Sequence, residues 1–272
     1  MLHEKIHLNK FYNIENDPWI EITAPYNNDE NLREKSKAIV IVPGGAYMIV
    51  SNTEADPVAV SYMMEGFVTI VLHYTVLTPY PTPMQELACA MDFLRKNSEK
   101  YYIDNDKISI IGFSAGGHLV STYGYLYRRN DFISKINLIP ENIKPNCIIL
   151  SYPVITMGKY SHSETKTYIT GGNKELYDLL SAEKNVDTTY PPTFIWTTIE
   201  DKCVPYQNST LFVDALKESN IEHDFFLYPH LNHGLSVINP LRYPLEVLKD
   251  KKMQEVSKWF DKSVDFIRKI LD

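Results

Sequence analysis

A chain of 272 residues, 44% of them hydrophobic and free of low-complexity tracts, can bury one sizeable core and reads as a single domain over 1–272. Its net charge of −7 argues against nucleic acid, which is held by clustered Lys and Arg that displace counterions. The first ten residues lack the apolar run and small-residue cleavage site of a secretory leader, and no later apolar stretch is long enough to span a bilayer. The expectation is a soluble, cytoplasmic protein without a membrane partner. Cys89, Cys147 and Cys203 are odd in number and widely spaced, which suits reduced thiols better than a disulfide framework or a zinc site.

Taken in chain order, Ala38 to Val42 is an unbroken apolar run ending at Pro43-Gly44-Gly45, as a buried parallel strand that stops at a turn would read. Asp56-Pro57 then predicts an N-cap and first helical residue, with Gly66 just past the helix end. Phe67 to Leu72 supplies a second buried strand. Thr82 to Gln85 has the form of a capping box, and Leu87, Met91 and Leu94 continue one apolar helical face. Lys107 to Ile111 predicts a third strand, followed by a helix from Ala115 to Leu126. Residues 147–151, 193–197 and 225–228 read as three more strands, and Met253, Val256, Phe260, Val264, Ile267 and Leu271 mark a closing amphipathic helix. Strands alternating with helices predict an α/β fold, a mostly parallel sheet with helices on both faces. Residues 153–190 fit this alternation poorly and are expected as an excursion, either a lid or a surface loop.

The chemistry concentrates at Gly112-Phe113-Ser114-Ala115-Gly116, a G-x-S-x-G sequence between a predicted strand and a predicted helix. A turn that tight needs small residues beside the serine and exposes its hydroxyl. Serine is a weak nucleophile near neutral pH and needs a base, usually histidine. Of eight histidines, His230 and His233 follow the last predicted strand, at the carboxyl edge where open α/β sheets bind ligands. His233 is preferred because Gly234 frees the backbone to aim its ring; a metal at His230 and His233 is disfavoured for want of a nearby third ligand. His73, inside a strand, is expected to be a satisfied structural histidine, and His118, one turn along the elbow helix, to pack. Asp201 sits just past a strand end and would orient the imidazole, with Glu200 as its rival. The order Ser114, Asp201, His233 is the one this arrangement uses. Backbone N–H groups of Gly45, Ala46 and Ala115 are the expected oxyanion donors.

Pro43 to Tyr47, Ser51, Glu54 to Pro57, Tyr74, Tyr80-Pro81, the block Ile111 to Leu119, Asp201 to Pro205 and His233-Gly234 together resemble the acetyl xylan esterase and feruloyl esterase-like branch of the α/β-hydrolases. The likeness runs from about residue 38 to the end, with weaker footing in the excursion. It implies an α/β-hydrolase fold and a serine esterase that removes short acyl groups from sugars, with no cofactor and no metal. Two positions depart from the pattern. Ala46 stands where the family has a third loop glycine, and Pro43 where lipase-type loops have histidine, so the pocket shape is expected to differ.

The implied substrate is a small acyl ester or acetylated saccharide, and Tyr47 and Tyr74 are candidates to stack a sugar face. Glu54 is expected either to cap the helix beginning at Asp56 or to face the substrate cleft. Rival readings are a general short-chain carboxylesterase, an amidase or peptidase with the same triad, and a non-catalytic binding protein on the same fold. A glycosidase would need paired carboxylates flanking a sugar, and no such pair stands out. Oligomeric state is left open.

Overall fold

A computed structural model describes residues 1–24 and 35–272. Its described residues form one eight-stranded sheet of β1 (Leu2–His7), β2 (Trp19–Ala24), β3 (Ser36–Val42), β4 (Val68–His73), β5 (Ile103–Phe113), β6 (Cys147–Ser151), β7 (Thr193–Thr198) and β8 (His223–Tyr228). The strand order is β1-β2-β4-β3-β5-β6-β7-β8. From β4 across to β8 all neighbours run parallel, while β1 pairs β2 and β2 pairs β4 antiparallel.

The apolar runs of the central strands follow from burial on both faces. Side chains alternate along a strand, so β3 sends Ala38, Val40 and Val42 into one core layer and Ile39 and Ile41 into the other. Helices Thr82–Lys96, Ala115–Leu126 and Gln207–Glu218 cover the first layer through Leu87, Leu119 and Phe212. Helices Asp56–Met64 and Trp259–Leu271 cover the second through Val58, Tyr62, Trp259 and Val264. Trp259 stacks on Trp196 of β7 at 5.0 Å and 17°. Such pairs add about 0.5–1.5 kcal/mol beyond their buried area.

Several local expectations are corrected. The two N-terminal strands are missing from the sequence reading, although β2 alternates half-buried and buried residues as an edge-proximal antiparallel strand should. Asp56 is the first helical residue, with Ala55 at the cap position and no side-chain cap; Gly66 does follow the helix end, at φ +88°. The capping box does not form, because Thr82 is already helical and Pro81 takes the cap position. The closing helix is two pieces, Lys251–Ser257 and Trp259–Leu271. His73 is not satisfied by hydrogen bonds: its Nε2 is buried without a partner among the described residues, and the ring stacks on Trp19 at 3.4 Å, its directly opposite residue on β2. Burial, with Lys5 nearby, pushes this imidazole down to about 4, so it is neutral at physiological pH.

The segment 153–190 carries the helix Ser163–Thr170 and is anchored by Val154, Ile155, Met157, Ile169, Leu180 and Tyr190, all buried in the first core layer. Among the described residues no helix is long and apolar enough to cross a membrane.

Candidate active site

Strand β5 ends at Phe113 and the helix Ala115–Leu126 begins at once, leaving Ser114 alone at the turn with φ 52° and ψ −117°. A non-glycine residue in that region stores about 1–3 kcal/mol and persists only where its surroundings over-determine it. Here the Ser114 N–H donates to the Ser151 carbonyl at 3.0 Å, and the Ser114 carbonyl accepts from the Val154 N–H at 3.0 Å. The flanking glycines are set by contact: a Cβ on Gly112 would stand 2.3 Å from the Gly116 carbonyl oxygen, and one on Gly116 would stand 2.2 Å from that of Val42. Strand and helix are too close for any side chain there.

Three residues from three separate loops converge at this turn. His233 Nε2 lies 2.8 Å from Ser114 Oγ, and His233 Nδ1 lies 2.6 Å from Asp201 Oδ2. Asp201 follows β7 and its side chain is fully buried, while that of His233, after β8, is 16% exposed. The second Asp201 oxygen accepts the N–H groups of Cys203 and Val204, each at 2.9 Å, which leaves Oδ2 for the imidazole. The His233 loop is pinned from behind, where Arg242 donates to the Gly234 carbonyl and Tyr243 and Trp259 to those of Leu235 and Ser236. Asn232 also accepts the Lys202 N–H at 2.9 Å, joining the aspartate loop to the histidine loop. Glu200 and His230 pair with each other, at 3.1 Å, rather than with the serine.

The loop after β3 lies against the elbow. An added Cβ on Gly44 would stand 2.6 Å from the Phe113 carbonyl oxygen and 2.9 Å from Ser114 Cβ. Gly45, Ala46 and Tyr47 then take φ of 121°, 57° and 61°, a left-handed run that reverses the chain beside the serine. The N–H groups of Gly45 and Ala46 have no hydrogen-bond partner among the described residues. Ala115, as first residue of its helix, has an N–H outside the helical ladder. Pro43 brings no N–H, and its carbonyl accepts from Tyr74.

A family model, BD-FAE, matches residues 22–216. The chain belongs to the BD-FAE family. Its match to a protein named endo-1,4-beta-xylanase B from Butyrivibrio fibrisolvens is 36% identical over 225 residues, covering 79% of this chain and 34% of that one. With an acetylxylan esterase from Xylanibacter ruminicola it is 29% identical, over 79% of this chain and 44% of the relative. The chain thus spans less than half the length of either curated relative. Among solved structures, an acetyl ester-xyloside bifunctional hydrolase from Caldicellulosiruptor lactoaceticus superposes with a TM-score of 0.82 at 27% identity, over 98% of this chain and 96% of that one. The carboxylesterase Cest-2923 from Lactobacillus plantarum gives 0.87 at 25% identity, over 100% and 99%. Family and neighbours together place the chain on the α/β-hydrolase fold, within a carboxylesterase and acetylxylan esterase-like hydrolase family.

In this BD-FAE chain a cleft of about 410 Å³ opens over Ser114 and His233, walled by Gly45, Ala46, Met48, Ile49 and Thr53 on one side and by His162, Cys203 and Gly234 on the other. A larger hollow of about 620 Å³ around Tyr12 and Lys96 is lined by neither serine nor histidine, so size does not mark the site. Tyr47 and Tyr74 are corrections: both are buried in the core, and their hydroxyls bond His118 Nδ1 at 2.8 Å and the Pro43 carbonyl at 2.9 Å. The left-handed turn at residues 46 and 47 swings Tyr47 away from the cleft, so neither ring is available to a sugar. His118 packs as expected, its ring held by Tyr47 and the Leu180 carbonyl and driven by burial down to about 4.

Glu54 caps no helix. It lines the cleft but is buried, and both carboxylate oxygens are occupied, by the Gly44 N–H at 2.8 Å and the Tyr152 hydroxyl at 2.7 Å. Burial raises its pKa, against the pull of those two donors and of the nearby His233 and Arg242. Sequence reasoning missed His162 and Cys203. His162 caps its helix through Nδ1 and brings Nε2 to 3.5 Å from Cys203 Sγ. Burial holds the His162 imidazole below its ordinary value, and burial with the Asp201 charge raises the Cys203 thiol, so near neutral pH the wall offers a neutral ring and a protonated thiol, not a second nucleophile.

Proposed function

We propose that the chain hydrolyses short-chain carboxylic esters, deacetylating small acylated sugars, with Ser114 as nucleophile, His233 as general base and Asp201 as its orienter. The observation that carries this reading is the continuous pair of hydrogen bonds, 2.8 Å from Ser114 Oγ to His233 Nε2 and 2.6 Å from His233 Nδ1 to Asp201 Oδ2. His233 Nε2 takes the hydroxyl proton as Oγ attacks the acyl carbon, and the imidazolium formed is stabilised by the buried Asp201 carboxylate. The developing oxyanion is met by the N–H groups of Ala46 and Ala115, with Gly45 beside them, and each such donor typically contributes about 3 kcal/mol. The imidazolium returns its proton to the leaving alkoxide. Water, activated by the same ring, then releases the acid from the acyl-serine.

The substrate class rests on similarity and on size. Relatives bear the names acetylxylan esterase and acetyl ester-xyloside bifunctional hydrolase, and a cleft of about 410 Å³ has room over Ser114 for an acylated mono- or disaccharide unit. The test has two arms. A fluorophosphonate should label the wild-type protein and not Ser114→Ala, whose turnover of an aryl acetate should all but vanish. Acetate release from acetylated xylo-oligosaccharides should proceed with kcat/KM above that for acetylated xylan polymer, and aryl acetate should outrun aryl octanoate by about 10-fold or more. Wild-type turnover in Ser114→Ala overturns the nucleophile. Preference for long acyl chains, or no acetate from any sugar ester, leaves a general carboxylesterase.

A further inference from the structure

We propose that Glu54 is a positioning residue that ties the loop offering the oxyanion donors to the loop carrying His233. The inference rests on the serine-esterase reading above, since the two loops matter to each other only if both serve one reaction.

The tie is continuous. Glu54 Oε2 accepts the Gly44 N–H at 2.8 Å, on the loop after β3. Glu54 Oε1 accepts the Tyr152 hydroxyl at 2.7 Å, and the same hydroxyl oxygen accepts the Ser236 N–H at 2.9 Å, three residues past His233. The Tyr152 ring also lies edge-on to the His233 ring, with centroids 4.8 Å apart. Gly44 is pressed between the two machines it connects, because an added Cβ there would stand 2.9 Å from both Glu54 Oε2 and Ser114 Cβ.

Chemistry assigns an acceptor role to both oxygens of Glu54. The Gly44 amide can only donate, and the Tyr152 oxygen, already accepting from Ser236, has its proton to give. A buried carboxylate without such partners is strongly disfavoured, so the donors and the acid select one geometry. With the Gly44 N–H taken by Glu54, the amides of Gly45 and Ala46, which wall the cleft, are among those of this loop that have no partner among the described residues. Glu54 is only 4% exposed and each of its oxygens is held by one of the two loops, so its effect passes through them.

The experiment uses p-nitrophenyl acetate turnover, the rate of fluorophosphonate labelling and the thermal midpoint, for wild type, Glu54→Gln, Tyr152→Phe and the double variant. A glutamine offers one acceptor where two are needed. Glu54→Gln should lower kcat and the labelling rate together by on the order of 100-fold, the scale of losing one oxyanion donor, while KM stays within about 3-fold. Tyr152→Phe should lower kcat by about 10-fold at similar KM, and the double variant should be little worse than Glu54→Gln, as coupled members of one network behave. A rise in KM at unchanged kcat makes Glu54 a substrate contact and overturns the proposal. Wild-type kcat and labelling with only a lowered thermal midpoint makes it a packing residue and also overturns it. Should Glu54→Gln not fold, Tyr152→Phe decides alone, since it keeps the carboxylate and its bond to Gly44. A wild-type protein that does not label at all refutes the triad itself, a result separable from any defect confined to the variants.

Discussion

Two acid–histidine pairs stand side by side on the same two loops, built from consecutive acids. Asp201 and His233 meet at 2.6 Å with side chains 0% and 16% exposed, whereas Glu200 and His230 meet at 3.1 Å with 51% and 40% exposed. Residue type does not separate them. The inner pair is shielded from water, the carboxylate is fixed by two backbone amides, and the far nitrogen of the ring reaches Ser114. The outer pair is screened by solvent and has little energetic weight. A carboxylate and an imidazole become a candidate relay through what stands behind and beyond them.

That contrast can be broken by substitution, and the largest effect belongs to the rings. His233→Ala should lower kcat for an aryl acetate by on the order of 10⁵- to 10⁶-fold, and adding Ser114→Ala should worsen it little, because the two act as a unit. His230→Ala should stay within about 3-fold of wild type, as a solvated surface pair predicts. A disabling His230→Ala would exchange the roles of the pairs. The acids follow. Asp201→Asn should cost on the order of 10⁴-fold in kcat with KM little changed, while Glu200→Gln should leave steady-state constants near wild type.

The smallest effect is one of stability. The hydrogen bond from His230, joined by that from the Leu231 amide, lowers the Glu200 pKa from its ordinary 4.5. A depressed folded-state pKa contributes stability above the unfolded value that is lost as pH falls through the folded one. Thermal midpoints of wild type and Glu200→Gln should therefore differ slightly at pH 7 and converge in acid below 4.5. A difference that grows on acidification would show that the outer pair acts by something other than its charge.

How far the sequence carries a reader differs between strand ends and side-chain directions. Strands β3 to β7 were legible because burial on both faces forces apolar runs, and β8, although an edge strand and only half-buried, through its run from Phe225 to Tyr228; β1 was not, since Leu2, Glu4 and Ile6 mix charge with apolar residues on the opposite edge. Strand β2 does carry a period-two signal in Ile20, Ile22 and Ala24, and an alternation count would have found it. Ser114, Asp201 and His233 were legible for a related reason: each follows a strand at its carboxyl end, and topology then gathers them. Tyr47 and Tyr74 were misread because aromatic identity says nothing of direction, which for Tyr47 is set by a left-handed backbone turn invisible in composition. His162 reaches the cleft only through packing of the 153–190 segment, so no spacing rule points to it. Cys203 could have been flagged, lying two residues past Asp201. Glu54 drew notice as a candidate cap or cleft residue, but its partners Gly44 and Tyr152 lie 10 and 98 residues away.

The two amides that hold Asp201 Oδ1 have an entropic meaning. A free carboxylate turns about two bonds, and aligning one oxygen with an imidazole at each turnover would draw on activation entropy. Here the Cys203 and Val204 N–H groups fix that rotor when the chain folds, so in the proposed mechanism its ordering belongs to the folding free energy and is absent from the barrier to each catalytic cycle.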